Sequence, residues 1–449
     1  MTFYFYPTDC LFLLCVTGLL AFAVHVRRDR ALRERWLHAL RAPLAGGAAV
    51  VVVLYFAIAV LDSIRIEHNA ARDSLLDLLL APLKAHVETS YSAPFAAFGY
   101  VKESIVTVDG TVQRDFPRLR FGGRHLADPA ARAGDLCRRV MGAIAAGVTL
   151  WWVGLWLMRR CSARFRRYAW RELVGRESLA VVGMSSVGLG CLIVVAPYYH
   201  VFGTDKVGND VLFQALKGIR TGLVLCTVTT LITLPLAVVL GIAAGLCRGW
   251  IDDAIQYVYT TLASIPGVLL IAAAALTLDV QLARYTSMAS AELRADFKLL
   301  ALCGVLGLTG WTSLCRLLRA EVLKLRAVEF VTAAQALGVD GLSIAWRHLV
   351  PNTLHLVIIA TVLDFSSLVL AEAVLTYIDI GVDPNMDSWG NMINSARLDL
   401  AREPSVWWSL AAAGAFMFVL VLAVNVLADA VRDAFDPRLR VLPRREVER

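Results

Sequence analysis

The feature that most constrains this chain is a set of long apolar runs spread over its whole length. Of its 449 residues, 58% are hydrophobic, more than the ~45–50% that is typical of soluble domains. A helix needs ~20 apolar residues to cross ~30 Å of hydrocarbon. Nine stretches are about that long: 8–26, 43–62, 139–158, 179–198, 221–246, 254–278, 298–316, 352–376 and 406–428. Because the runs are continuous and not alternating, they predict an all-α integral membrane protein with about nine transmembrane helices, and not a β-barrel.

The formal net charge of +7 lies mainly beside these runs. Arginines follow the first and third runs in two clusters: Arg27, Arg28, Arg30, Arg33, Arg35 and Arg41, then Arg159, Arg160, Arg164, Arg166, Arg167 and Arg171. Short basic loops remain in the cytoplasm, so we expect the N-terminus outside and the C-terminus, with Arg432, Arg438 and Arg440, in the cytoplasm. The acidic loop 377–405 then falls outside. The charge therefore predicts contact with membrane lipid and none with nucleic acid.

The first apolar run also has a feature of secretory signal peptides. Ala21-Phe22-Ala23 imitates a cleavage site, but no positive charge precedes the run and Arg27-Arg28 follow it. This order is the reverse of a secretory leader. We expect a retained membrane anchor.

A polar segment, Glu329–Pro351, interrupts the apolar pattern in the C-terminal half. Its first apolar residues recur at the i, i+3, i+4 and i+7 spacing: Phe330, Ala333, Ala334 and Leu337. This spacing predicts a short helix that packs one apolar face on the membrane side. Gly338 suits the end of that helix, Asp340 can cap a second short helix, and Pro351 suits the first turn of the next span. On spacing alone the segment could also be an ordinary loop.

The residue order of this segment resembles the EAA loop of permease subunits in ATP-binding-cassette importers, most closely those of the dipeptide/oligopeptide/nickel type. Ala333-Ala334 is followed by Gly338 and then by His348 and Leu349-Val350-Pro351, while Thr332 and Val350 stand where the family usually has glutamate and leucine. In that family the loop forms the coupling helix, which seats in a cleft of a cytoplasmic ATPase subunit. The resemblance implies ATPase-coupling roles for eight residues: Glu329, Phe330, Thr332, Ala333, Ala334, Leu337, Gly338 and Pro351.

Other motifs extend the resemblance, in the family's order, over about 179–440. Five residues are similar to an external GTDxxGRD signature, with Asn209 in place of its arginine: Gly203, Thr204, Asp205, Gly208 and Asp210. From the residues alone this stretch is an external turn followed by a helix start, whose N-terminus Asp210 supports. Further matches are RGWIDD at 248–253, SIP at 264–266, AEA at 371–373, SWGNM at 388–392 and RDAFDPR at 432–438. Pro266 in the S-x-P match predicts a kink, either static or a hinge.

Two ionisable residues, Asp364 and Glu372, lie inside the run 352–376. Such residues usually face a protein interior or a watery path. Glu372 matches the acidic residue of the family's AEA, whereas Asp364 has no counterpart there. Asp364 either lines the passage and favours a cationic group such as a peptide amino terminus, or is a buried carboxylate paired with a neighbouring helix or hydroxyl. Both interpretations stay open.

Residues 1–178 precede the resemblance and predict an N-terminal extension with three transmembrane helices and an external loop at about 63–138. Within that loop, Arg72–Val87 is amphipathic and predicts a helix on the membrane surface. Ile105–Val112 alternates around Asp109-Gly110, which predicts a hairpin. The extension is either a docking or gating element for a substrate-delivery protein, or an insertion that packs beside the core.

Several chemistries have no signal in the sequence. No G-x4-G-K-[ST] phosphate loop occurs, so ATP and Mg are expected only in partner subunits and the chain is not expected to be an enzyme. The nine cysteines are scattered and the eight histidines are isolated. We therefore expect no catalytic residues, no metal site and no cofactor in this chain.

The resemblance implies a six-helix type I importer permease core at 179–440, in the bacterial cytoplasmic (inner) membrane, followed by a cytoplasmic tail at 441–449. It also implies three kinds of partner: a second permease subunit, two ATP-binding-cassette ATPase subunits and an extracytoplasmic substrate-binding protein. The expected cargo is di- or oligopeptides, although nickel or a peptide antibiotic is not distinguished. A secondary transporter and a membrane scaffold or accessory protein remain as alternatives.

Overall fold

The computed structural model describes residues 2–42, 44–68, 71–106, 112–126, 128, 131–164, 176–285 and 290–435. These residues form sixteen α-helices, one π-helical turn and five strands. The helices are α1 (Pro7–Arg28), α2 (Arg30–Arg41), α3 (Ala45–Ser63), α4 (Leu75–Leu79), α5 (Ala81–Lys84), α6 (Arg132–Arg164), α7 (Arg176–Val194), α8 (Val211–Cys247), α9 (Trp250–Ser264), α10 (Gly267–Tyr285), α11 (Ala291–Leu325), α12 (Glu329–Ala336), α13 (Gly341–Ile344), α14 (Val350–Tyr377), α15 (Trp389–Leu400) and α16 (Trp408–Phe435). The π-helical turn is Ala345–Leu349, between α13 and α14.

All nine predicted stretches fall on helices, and the all-helical membrane class is confirmed. Within the described ranges, seven helices are long and apolar enough to cross a membrane. They are Pro7–Arg28, Ala45–Ser63, Arg132–Gly154, Val211–Cys247, Ala291–Leu325, Gly341–Tyr377 and Trp408–Phe435. The stretch predicted at 179–198 contains a shorter apolar helix, Ser178–Val194.

The stretch predicted at 254–278 is not one straight span. Helix α9 ends at Ser264 and α10 begins at Gly267, and their axes differ by 92°. Pro266 lacks the backbone N–H that would continue a helix, and its ring clashes with the preceding turn. The predicted kink is therefore a complete break of the helix. If the bent pair is counted as one span, the described residues contain up to eight spans.

The first of two compact units comprises Met1–Phe5, Leu40–Gly222 and Met386–Val426. Helices α6 and α7 pack against each other, and α3 packs on α7. Ala143, Val195 and Tyr199 form the buried centre of this packing. The predicted boundary near residue 178, between the N-terminal extension and the permease core, was drawn from the sequence resemblance and stays a prediction. The compact unit described here continues across that position, because it includes Leu40–Gly222.

Two small sheets lie in the first unit. The sequence did not predict the three-stranded antiparallel sheet, in which β1 (Thr2–Tyr4) and β3 (Ala71–Ser74) flank β2 (Arg65–His68). The predicted hairpin is present as β4 (Glu103–Val106) paired with β5 (Val112–Asp115). Its predicted Asp109-Gly110 turn lies outside the described residues.

The surface helix predicted over Arg72–Val87 is wrong in extent. Its first residues belong to β3, and only the short helices α4 and α5 follow. Ser74 starts α4 through a reciprocal capping box with Asp77, and Pro82 occupies the first turn of α5. These local signals divide the segment into a strand and two separate helical turns.

The second unit comprises Tyr6–Ala39, Leu223–Asn385 and Leu427–Arg449. Helix α11 packs against α1, α9, α10 and α14. One buried cluster joins Ala237 of α8, Tyr259 of α9 and Trp311 of α11. At the start of α1, the Thr8 backbone N–H donates to Asp296 Oδ2 of α11 at 3.2 Å.

Candidate functional site

The polar segment Glu329–Pro351, called the coupling segment below, has the predicted helix, turn and helix. Helix α12 ends in a Schellman motif: the Val339 N–H donates to Ala334 O at 3.1 Å and the Gly338 N–H to Gln335 O at 3.0 Å. Gly338 has a φ of +77°, which glycine adopts without the Cβ strain of other residues. Asp340 then caps α13 by accepting the Leu342 N–H at 3.2 Å.

Of the four residues in the predicted apolar face of α12, only Ala334 packs within the chain. Val331 and Ala334 are buried, in a cluster with residues of α8, α11 and the π-helical turn such as Ile242, Val322 and Leu349. Phe330 and Ala333 are exposed, and Leu337 is 84% exposed. The helix is anchored by the small apolar residues, while its large ones point to solvent.

The coupling segment continues directly into a long helix. The Val350 N–H donates to Ala345 O, a five-residue step that forms a π-helical turn between α13 and α14. Pro351 lies in the first turn of α14, as predicted. Together, Gly341–Tyr377 forms a single apolar helix, so no flexible loop separates the coupling segment from the span.

The corner at 248–253 is held by an ion pair. Gly249, with a φ of +78°, precedes α9, and Asp252 in the first turn accepts Arg319 Nε at 2.6 Å and Arg319 Nη2 at 2.8 Å. A two-bond arginine–carboxylate pair fixes both position and orientation. It attaches α9 to α11, whose end leads into the coupling segment.

The residues 200–211, called the 200–211 motif below, form a tight turn before α8. Asp205 Oδ1 accepts the backbone N–H groups of Val207 and Asn209 at 2.9 and 2.8 Å. Asp210 Oδ1 accepts the N–H of Leu212 at 2.9 Å and that of Phe213 at 3.2 Å. The predicted support of the helix start by Asp210 is thereby confirmed.

The backbone of this motif is covered by the segment around Glu88 and Ser92. The Glu88 N–H donates to Gly208 O at 2.9 Å, and the Thr204 N–H donates to Ser92 O at 3.1 Å. Gly203 and Gly208 have φ values of +70° and +85°. A Cβ on Gly203 would lie 2.2 Å from Ser92 O, and one on Gly208 would lie 2.0 Å from Glu88 O. Only glycine permits this close approach.

A buried histidine links the same two segments. His200 Nδ1 donates to Asp210 Oδ2 at 2.7 Å, and its Nε2 lies 3.6 Å from Glu88 Oε1. Burial alone would lower the pKa of His200, but the bond to Asp210 and the carboxylate of Glu88 raise it to about 9. Burial would raise the pKa of Glu88, yet His200 and the N–H donors of Phe121 and Arg120 hold it below its usual value. His200 is therefore a cation held between two carboxylates at neutral pH.

The SWGNM stretch at 388–392 starts α15. Ser388 accepts the Asn391 N–H at 3.0 Å, and Trp389, which is buried, donates its indole N–H to Ala215 O at 2.9 Å. A Cβ on Gly218 would lie 2.9 Å from Trp389. The indole of Trp389 thus occupies a space beside α8 that is open because residue 218 is glycine.

Comparison with known proteins agrees with this geometry. Residues 237–441 match the family described as binding-protein-dependent transport system inner membrane component. A putative peptide permease protein of Brucella suis biovar 1 is 30% identical over 239 residues, which cover 53% of this chain and 73% of that protein. The chain belongs to this permease family. This permease is 26% identical over 304 residues to a dipeptide transport system permease protein of Bacillus subtilis, and the match covers 63% of this chain and 89% of that relative. This permease is also 28% identical over 243 residues to a glutathione transport system permease protein of Pectobacterium atrosepticum, and the match covers 54% of this chain and 73% of that relative.

The two ionisable residues of α14 have different environments in the permease. Glu372 is buried, and the Thr376 hydroxyl lies 3.3 Å from its Oε1. Asp364 is exposed and lines an open cleft. The two residues lie on the same helix, but one is buried and the other is exposed in the cleft.

Sequence reasoning missed a second buried charge cluster in the permease. Lys217 Nζ lies 2.9 Å from Asp77 Oδ1 and 3.6 Å from Asp62 Oδ1, and Ser74 Oγ donates to Asp62 at 2.7 Å. Burial raises the pKa of nearby Asp387 to about 6 despite the attraction of Lys217. A lysine inside an apolar helix start is the one signal that could have indicated buried acidic partners.

Part of the predicted C-terminal motif lies beyond the described residues. Val431, Ala434 and Phe435 are buried against Ala39, while the Asp436-Pro437-Arg438 portion falls outside. The arginines at 166, 167 and 171 and the tail at 441–449 also fall outside the described ranges.

Proposed function

We propose that this permease is the pore-forming subunit of an ATP-binding-cassette importer that carries di- or oligopeptides into the cell. The names of its relatives, a peptide, a dipeptide and a glutathione permease, support this class of cargo. ATP and Mg are bound by two partner ATPase subunits. A second permease subunit completes the passage, and an extracytoplasmic binding protein delivers the cargo.

One observation carries the coupling part of this proposal: the coupling segment exposes large apolar side chains on an anchored backbone. Leu337 is 84% exposed and Leu342 68% exposed, and Glu329, Thr332 and Gln335, which precede them, are also exposed. An apolar patch rimmed by polar groups is typical of a protein interaction site. We assign it to the ATPase cleft, with Phe330, Ala333 and Leu337 in contact and Val331 and Ala334 as the anchor.

The mechanism follows from the connections of the coupling segment. Closure of the ATPases on ATP displaces α12, and Gly341–Tyr377 transmits the displacement because it is one helix from the segment to the end of α14. The Asp252–Arg319 pair transmits it also to α9 through the end of α11. The free energy comes from the partner ATPases. This chain supplies the coupling segment and its attached helix, which move between two positions.

The experiment is purification of the tagged permease from native membranes, followed by mass spectrometry and an ATPase assay of what co-purifies. We expect an ATP-binding-cassette subunit with the wild type and at least about a tenfold loss of it with Leu337→Glu, because the charge must be desolvated in an apolar cleft. Leu398→Glu is the matched control, since Leu398 of α15 is likewise an exposed leucine, with 66% of its surface accessible. Absence of an ATPase from the wild-type complex, or equal retention by both variants, contradicts the proposal.

We propose that the N-terminus lies outside and the coupling segment in the cytoplasm, which the arginine clusters support. Cysteines introduced at the exposed positions Ser104 of β4 and Ser343 of α13 test this, in a background whose exposed native cysteines are serine. An impermeant thiol reagent applied to whole cells should label only position 104. Labelling of position 343 instead contradicts the orientation.

We further propose that residues 1–178 are an extension that braces the 200–211 motif rather than a separate module. The contacts of Glu88 and Ser92 with that motif and of Asp62 and Asp77 with Lys217 support it. Deleting 66–135 should lower the yield of folded permease. Normal yield with lost uptake would instead favour a docking or gating role.

A further inference from the structure

An open cleft lies between three helices of the second unit. The lining comes from α8 (Thr229, Thr230, Thr233, Leu234), α11 (Leu306, Gly310, Leu314) and α14 (Thr361, Asp364, Ser367, Leu368). It therefore combines apolar walls with hydroxyl groups and one carboxylate.

Four of the five hydroxyl groups that line this cleft have already used their protons. Thr230 Oγ1 donates to Cys226 O at 2.7 Å and Thr361 Oγ1 to Val357 O at 2.7 Å. Thr233 Oγ1 donates to Gly307 O at 3.3 Å, and Ser367 Oγ to Asp364 O at 2.7 Å. A hydroxyl has one proton and two lone pairs, so these four present only acceptors to the cleft.

The lining residues carry no ammonium, guanidinium, imidazole or amide side chain. Asp364 is the charged residue of the set, and its carboxylate adds further acceptor positions. A cleft in which four hydroxyl groups and a carboxylate accept hydrogen bonds, and which holds one negative charge, matches a cationic donor. A primary ammonium, with three N–H groups and a positive charge, has that chemistry.

We propose that Asp364 is a specificity-determining residue of the passage, which receives the protonated amino group of the cargo while the surrounding hydroxyls accept its remaining N–H groups. This inference rests on the proposed import of peptides and adds a selection step within the permease. Peptides with a free amino terminus then cross faster than their N-acetylated forms. Glu372, which is buried and does not belong to the lining, takes no part.

The test is ATP-dependent uptake of one labelled dipeptide and its N-acetylated form by proteoliposomes that contain the complete importer. The ratio of the two uptake rates is compared between wild type and variants with the same binding protein, so that selection by that protein cancels. We expect Asp364→Asn to lower the ratio about tenfold, the scale of one charge-assisted hydrogen bond. Asp364→Glu should keep the preference for the free amine.

Two further variants keep the proposal falsifiable. Thr361→Val removes one acceptor at nearly constant shape and should lower the ratio about twofold to threefold, even if Asp364→Asn does not fold. Asp429→Asn, an exposed carboxylate of α16 outside the lining, is the control and should keep the wild-type ratio. An unchanged ratio in Thr361→Val and in every folded Asp364 variant overturns the proposal. Absence of ATP-dependent uptake by the wild type would instead contradict the importer function itself.

Discussion

The 200–211 motif and the coupling segment use the same backbone device for opposite purposes. Each depends on a glycine with a positive φ, Gly208 at +85° and Gly338 at +77°. A Cβ on Gly208 would lie 2.0 Å from Glu88 O, whereas one on Gly338 would have no neighbouring heavy atom within 4 Å. In the motif the glycine lets two backbones meet, and in the coupling segment it only turns the chain. The first region is packed against its own chain, and the second leaves its surface open.

The largest expected effect is on the glycine that permits backbone contact. Gly208→Ala should destabilise the permease by more than about 3 kcal/mol, because overlap with Glu88 O adds to the strain of the positive φ. Gly338→Ala is the matched variant and should cost only about 1 kcal/mol, from strain alone. Thermal unfolding in detergent measures both. Equal losses in the two variants would break the comparison.

The next effect concerns the buried cation of the motif. His200→Leu leaves the carboxylates of Glu88 and Asp210 buried without it and should cost about 3 kcal/mol, as breaking a buried ion pair does. His348→Leu is the control from the coupling segment, where the imidazole is half-buried and lies 5.9 Å from the Phe330 ring. That change should stay within about 0.5 kcal/mol. A His200 variant as stable as this control would show that the motif is not held by charge.

Within the coupling segment, anchor and surface residues should separate. Val331→Ser removes a fully buried side chain and should cost about 2 kcal/mol. Leu337→Ser should leave the unfolding midpoint within error while it weakens ATPase retention. If Val331→Ser is the milder of the two in unfolding, the face predicted from sequence spacing is the packed one after all.

The same buried cation should also appear in the pH dependence of stability, as a gradual loss of roughly 2–3 kcal/mol. The folded-state pKa of His200, about 9, is above its ordinary value of 6.5, so the folded state binds the proton more tightly. Its contribution is complete below pH 6.5 and is lost as the pH rises through 9. His86, Glu88 and Asp210 face the ring. The unfolding midpoint of the wild type should therefore fall between pH 7 and 10, and that of His200→Leu should fall less.

Much of the helical fold could be predicted because apolar length and helix-ending residues are local signals. The end of α12 at Gly338 and the cap at Asp340 followed from residue type alone. The packed face of α12 did not, since the spacing of Phe330, Ala333 and Leu337 reveals apolar character but not whether this chain or a partner covers it. The spacing alone had placed this face on the membrane side.

Contacts between distant segments could not be predicted from spacing. Glu88 pairs with His200 and Gly208 across more than a hundred residues of chain, and no local pattern marks it. Likewise, Arg319 was not connected with Asp252, although the RGWIDD corner was identified. The sequence analysis identified Gly208 and the RGWIDD corner, and only the fold supplied their partners Glu88 and Arg319.

The π-helical turn at Ala345–Leu349 also sets the rotational phase of the helix that follows it. One residue of an α-helix corresponds to a rotation of about 100°, so the extra residue in this turn determines which side of α14 carries Asp364. Removing a single residue there would restore ordinary α-helical winding and swing the carboxylate about a quarter of a revolution from the cleft. Five residues near the end of the coupling segment therefore fix the azimuth of a side chain four turns farther along.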